Sequence, residues 1–74
     1  MNMHDFYSLY RTYRHRYNLK CSVLTNIFGD YRIRIWQQKG IKDSTLIIDV
    51  EAESESEMYQ QATDQLRRYF DIFG

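Results

Sequence analysis

Phe6, Leu9, Tyr10, Tyr13 and Tyr17 fall at the i, i+3, i+4, i+7, i+11 spacing of one helical face. Residues 4–17 therefore predict an amphipathic helix, with Arg11, Arg14, His15 and Tyr7 mostly off its apolar stripe. Asp5 in the first turn and Arg14 and Arg16 in the last suit the helix dipole, and Asn18 supplies a C-terminal stop. The period then changes to two. Leu19, Cys21 and Val23 alternate with Lys20, Ser22 and Leu24, which predicts a strand over 19–27. Tyr31, Ile33 and Ile35 alternate with Arg32, Arg34 and Trp36 over 31–38. Leu46, Ile48 and Val50 alternate with Thr45, Ile47, Asp49 and Glu51 over 45–51. The turn cluster Asn26–Asp30 and the loop Lys39–Ser44 are short enough to make both connections antiparallel hairpins.

A helical period returns after Ser54. Ser54 with Glu57 reads as a capping box, and Met58, Ala62, Leu66, Tyr69, Phe70 and Phe73 mark one face of a helix of about 20 residues. The expected fold class is α+β, in the order helix, three-stranded antiparallel meander, helix. Each helix has one stripe to bury, and the economical solution packs both on one face of the sheet. That inner face would carry Leu19, Cys21, Val23, Ile33, Ile35, Leu46, Ile48 and Val50. The outer face, left to solvent, would carry Lys20, Ser22, Leu24, Arg32, Arg34, Trp36, Ile47 and Asp49.

With 74 residues the chain makes a single domain, 1–74, with a modest core. A core of that size leaves little room for a deep pocket, which disfavours an enzyme. Hydrophobic residues at 43% and aromatics at 16% exclude a disordered chain. One cysteine cannot form an internal disulfide, and neither a membrane span nor a signal peptide stands out, so the expected location is the cytoplasm. The formal net charge is zero, but residues 1–42 hold eight basic and two acidic side chains, while 43–74 hold eight acidic and two basic. Such asymmetry hints at a charged partner.

No constellation for catalysis, metal or cofactor emerges. His4 and His15 share one helix but stand about 16 Å apart along its axis, too far to share an ion or a proton. Cys21 points by alternation into the core, where a thiol is inert. The glycines at 29, 40 and 74 form no phosphate loop, and the carboxylates match no calcium loop.

Three surfaces remain as candidates for binding. Tyr7, Arg11, Arg14 and Arg16 on the first helix could place guanidinium groups on phosphates and a ring on a base. Arg32, Arg34, Trp36 and Ile47 on the outer sheet face combine the residue types most enriched in binding hot spots with an apolar neighbour. The alternative for this face is that Arg32 and Arg34 simply pair with Asp49 and Glu51 across the strands. Asp49, Glu51, Glu53, Glu55 and Glu57 form an acidic row that could occupy a basic groove built for nucleic acid. The alternative there is a solvated helix start, since acids at an N-terminus stabilise it.

The element order resembles that of the double-stranded RNA-binding domain. That family needs a lysine cluster at the start of its second helix and a Gly-Pro loop. Ser54, Glu55, Ser56 and Glu57 stand at the first position, and the chain has no proline, so the resemblance implies the topology without the RNA chemistry. The chain also looks like a small phage-encoded anti-CRISPR protein. The similarity lies in its size, in the start Met1-Asn2 then Asp5, and in the run Glu51-Ala52-Glu53-Ser54-Glu55-Ser56-Glu57 after the sheet. This resemblance implies a non-enzymatic inhibitor of the RNA-guided nuclease of a type II system. Its carboxylates (by position Asp49, Glu51, Glu53, Glu55 and Glu57) would fill the basic site that reads DNA. Net neutrality departs from the strongly acidic composition of DNA mimics. The expected partner is a host protein, with direct nucleic-acid binding by the basic half, or self-assembly of a monomer or homodimer, as the other readings.

Overall fold

A computed structural model describes residues 3–26 and 28–73. Met1, Asn2, Ile27 at the expected end of the first strand, and Gly74 lie outside the described residues, as does the side chain of Phe73. The order is α1 (Met3–Tyr17), β1 (Leu19–Thr25), β2 (Tyr31–Gln38), β3 (Ser44–Ala52) and α2 (Glu55–Phe73). The strands form one antiparallel sheet in the order β1-β2-β3, and both helices pack on the same side of it.

Local chemistry explains each boundary. Asn18 ends α1 in the left-handed region at φ 56°, a conformation Asn tolerates, while its N–H donates to the Arg14 carbonyl at 3.0 Å. The first hairpin turns on Asn26, whose side-chain oxygen accepts from the Phe28 N–H at 2.9 Å, and on Gly29 at φ 89°. Ser54 caps α2: its hydroxyl accepts from the Glu57 N–H at 3.2 Å, and its carbonyl accepts from the Met58 N–H at 3.0 Å.

Phe6 and Tyr10 from α1, Leu19, Ile33, Ile35, Ile48 and Val50 from the sheet, and Met58, Ala62, Leu66 and Phe70 from α2 close the core. The helices run parallel. Phe6 and Tyr7 meet Tyr59 near the start of both, and Tyr13 and Tyr17 stack on Phe70 near their ends, at ring separations of 4.5 and 4.2 Å. Because α2 touches α1 as well as the sheet, it buries two stripes. Tyr59 and Thr63 are buried beside the expected one, with the Thr63 hydroxyl donating to the Tyr59 carbonyl at 2.7 Å.

One expectation about the sheet faces is overturned. A β-bulge separates the pairs Ile35–Ile48 and Trp36–Leu46 and leaves Ile47 unpaired. One extra residue reverses the facing of everything before it. Leu46 therefore stands opposite Trp36 on the outer face and is exposed, while Ile47 is half-buried and packs against the core near Tyr69 and Ile72.

Candidate interaction surface

The register assembles the outer face row by row. Trp36 lies between Lys20 and Leu46, Arg34 between Ser22 and Asp49, and Arg32 between Leu24 and Glu51. Both helices are spent on the inner face, so no element covers these rows. Trp36 and Arg34 are half-buried by their neighbours in the sheet, whereas Leu24 and Leu46 are exposed by 55% and 46%. Two further apolar side chains, Phe28 and Ile41, project from the hairpin tips at 84% and 95% exposure. The alternating pattern does not reach them, because turns have no period.

Arg32 decides the electrostatics. Its Nε and one terminal nitrogen donate to the two Asp49 carboxylate oxygens at 3.0 and 2.9 Å, a two-pronged clamp, and the other terminal nitrogen lies 3.2 Å from Glu51. The hydrogen bond from Arg32 holds the Asp49 carboxyl below the ordinary aspartate value, and the nearby Arg34 charge adds to the effect. Asp49 and Glu51 are thus satisfied within the sheet. Arg34 and Lys20 make no ion pair among the described residues, and they are the basic groups this face offers to a partner.

The five acids expected to act as one row are therefore split. All five are exposed, but Asp49 and Glu51 pair with Arg32, while Glu53 at the end of the sheet and Glu55 and Glu57 in the first turn of α2 make no ion pair among the described residues. An open groove of about 470 Å³ marks the junction, lined by Leu24, Arg32, Glu51 and Glu53 among others. Ile47, expected beside Arg34 and Trp36, is replaced there by Leu46.

The basic candidates do not make one surface either. Arg11, Arg14 and Arg16 are exposed on α1, in the helical layer, and the sheet separates them from the outer-face arginines. Tyr7, read as the exposed ring of that helix, is half-buried instead. It meets Phe6 edge-on at 5.0 Å and Tyr59 at 5.9 Å, because α2 reaches round to its side of the stripe. Burial and the hydrogen bond to Tyr7 both push the Tyr59 hydroxyl above its ordinary value.

Cys21 is half-buried, and burial pushes its thiol up to about 11, so it is protonated at neutral pH. His4 and His15 are exposed, and no group of three metal-ligating side chains occurs among the described residues. None of their helices is long and apolar enough to cross a membrane. No family model matches the chain, and neither a characterised protein nor a solved structure does so.

Proposed function

We propose that the protein is a non-enzymatic binding module that masks a site on a partner protein with its outer sheet face. The observation behind this reading is the row Lys20–Trp36–Leu46 beside Arg34, uncovered by either helix. A partly shielded tryptophan with an exposed aliphatic neighbour and an available guanidinium is the composition of an interface centre. The clamp of Arg32 on Asp49 and Glu51 forms an ion-paired rim next to it.

In the anti-CRISPR-like form of this reading, the partner is the RNA-guided nuclease of a type II system. Glu53, Glu55 and Glu57 then steer the module toward a basic site, and the Trp36 face supplies the contact that holds it there. Direct nucleic-acid binding by α1 is the weaker reading, because its tyrosines pack inward and leave arginines without a stacking ring.

The experiment is target-DNA cleavage by a purified type II RNA-guided nuclease, with the wild-type chain, Trp36→Ala, and the triple change Glu53→Gln, Glu55→Gln, Glu57→Gln. Inhibition by the wild type is expected. Trp36→Ala loses at least about tenfold in potency, as a hot-spot truncation does. The triple variant loses less, mainly in association rate. Unimpaired cleavage at saturating wild-type chain removes the nuclease as partner.

A further inference from the structure

The sheet has two free edges, and they differ. Along β3, the bulge at Ile47 breaks the regular run, and Asp49 and Glu51 crowd it with charge. Both are devices that discourage another strand from pairing. Along β1 the register with β2 continues without interruption from Leu19 to Thr25, and Lys20 is the one charged residue.

Backbone parity shows what β1 offers. The Gln38 N–H donates to the Asn18 carbonyl at 3.1 Å, and the Asn26 N–H donates to the Asp30 carbonyl at 2.9 Å. Even-numbered residues of this segment therefore aim their backbone groups at β2, and odd-numbered ones aim theirs at the open side. The Leu19 carbonyl on that side already accepts from the Tyr10 hydroxyl at 3.3 Å. Cys21, Val23 and Thr25 are left presenting N–H and C=O in strand geometry.

A groove of about 460 Å³ runs beside this edge, under α1, lined by Tyr7, Tyr10, Arg14, Lys20, Cys21 and Val23 among others. Leu19, Cys21 and Val23 give it apolar lining, and its two charged residues are both basic. No carboxylate lines it.

We propose that the free edge of β1 is a docking site for an extended acidic peptide of a partner protein. The peptide would add a fourth strand to the sheet. Its inward side chains enter the groove beside Tyr7, Cys21 and Val23, its outward carboxylates meet Lys20, and Arg14 on α1 adds positive charge on the inner side of the same edge. Charge selects this occupant over a second copy of the chain. Pairing β1 with β1 sets basic edges together, and the acidic edge of another copy is bulged, with Asp49 and Glu51 engaged by Arg32. This site shares Lys20 with the Trp36 face, but it is read at the β1 backbone and does not depend on that face.

The test uses amide NMR of the full chain titrated with a blocked seven-residue peptide of alternating glutamate and valine. The probe's lysine-for-glutamate counterpart is the control. The glutamate peptide is expected to shift the amides of residues 19–25 and to bind at least about tenfold more tightly than the lysine peptide, with the preference shrinking as salt rises. Arg14→Glu with Lys20→Glu changes two exposed side chains and keeps the fold, checked by circular dichroism; it should abolish the preference. Equal binding of both peptides overturns the proposal, as does no binding of the glutamate peptide at millimolar concentration. Shifts centred on Trp36, or shifts of residues 19–25 that follow protein concentration without peptide, overturn it too, the last in favour of self-pairing.

Discussion

Along β2, neighbouring residues live in different environments. Ile33 and Ile35 are sealed from water, while Arg32, Arg34 and Trp36 are only half-buried. The strand and its backbone hydrogen bonding are shared; what differs is that α1 and α2 both lie on the isoleucine side. Packing therefore carries the stability of the inner face. The outer face is held by cross-strand pairs that reach solvent, the Arg32 clamp foremost. One face is fixed by what the chain must bury, and the other is free to be shaped by what it meets.

The largest effect should come from the sealed side. Leu66 is fully buried where α2 meets the core. Leu66→Ala is expected to cost about 2–5 kcal/mol in urea denaturation, a large part of the stability of so small a domain. Arg34→Ala on the open side should stay within about 0.5 kcal/mol. Equal losses would mean that the outer face is packed in a way its exposure does not show.

A smaller effect tests where the two faces change places. By plain alternation Leu46 belongs inside and Ile47 outside; the bulge exchanges them. Ile47→Asp puts a charge against the core beside α2 and should destabilise by about 1–3 kcal/mol, whereas Leu46→Asp should cost under about 1 kcal/mol. The reverse order, read by the same denaturation, would show a ladder without the bulge.

That exchange also marks how far the sequence can be read. Period-two alternation placed β2 to the residue, and the capping Ser54 and the stop at Asn18 lie where their chemistry predicts. Leu46-Ile47-Ile48 is apolar throughout, so alternation has nothing to distinguish a regular strand from a bulged one. Tyr59 and Thr63 escape any reading that gives an amphipathic helix a single partner. With Leu66 and Phe70 they form a second stripe at i, i+4, i+7, i+11, which is the signal of a helix wedged between two neighbours. Tyr7 escapes the single-partner reading for the same reason. On the candidate surface, Arg32, Arg34 and Trp36 share a face as alternation requires. The division of the acids depended on which carboxylates a single arginine could reach, a matter of register and not of composition.

The smallest effect concerns the rim of the open face. Asp49 titrates below its ordinary value of 3.8 because Arg32 favours the charged form. A carboxyl whose value is lowered on folding adds stability that is fully present above 3.8 and is lost as pH falls through the folded value. The stability difference between wild type and Asp49→Asn should therefore be constant near neutrality and close as the solution is acidified below about 4. It should remain small throughout, since both partners reach solvent, and shrink further in high salt. Denaturation of the two proteins across pH 2–7 reads this directly. A gap that persists unchanged in acid would mean that Asp49 contributes by shape and hydrogen bonding alone, leaving the Arg32 clamp without an electrostatic role.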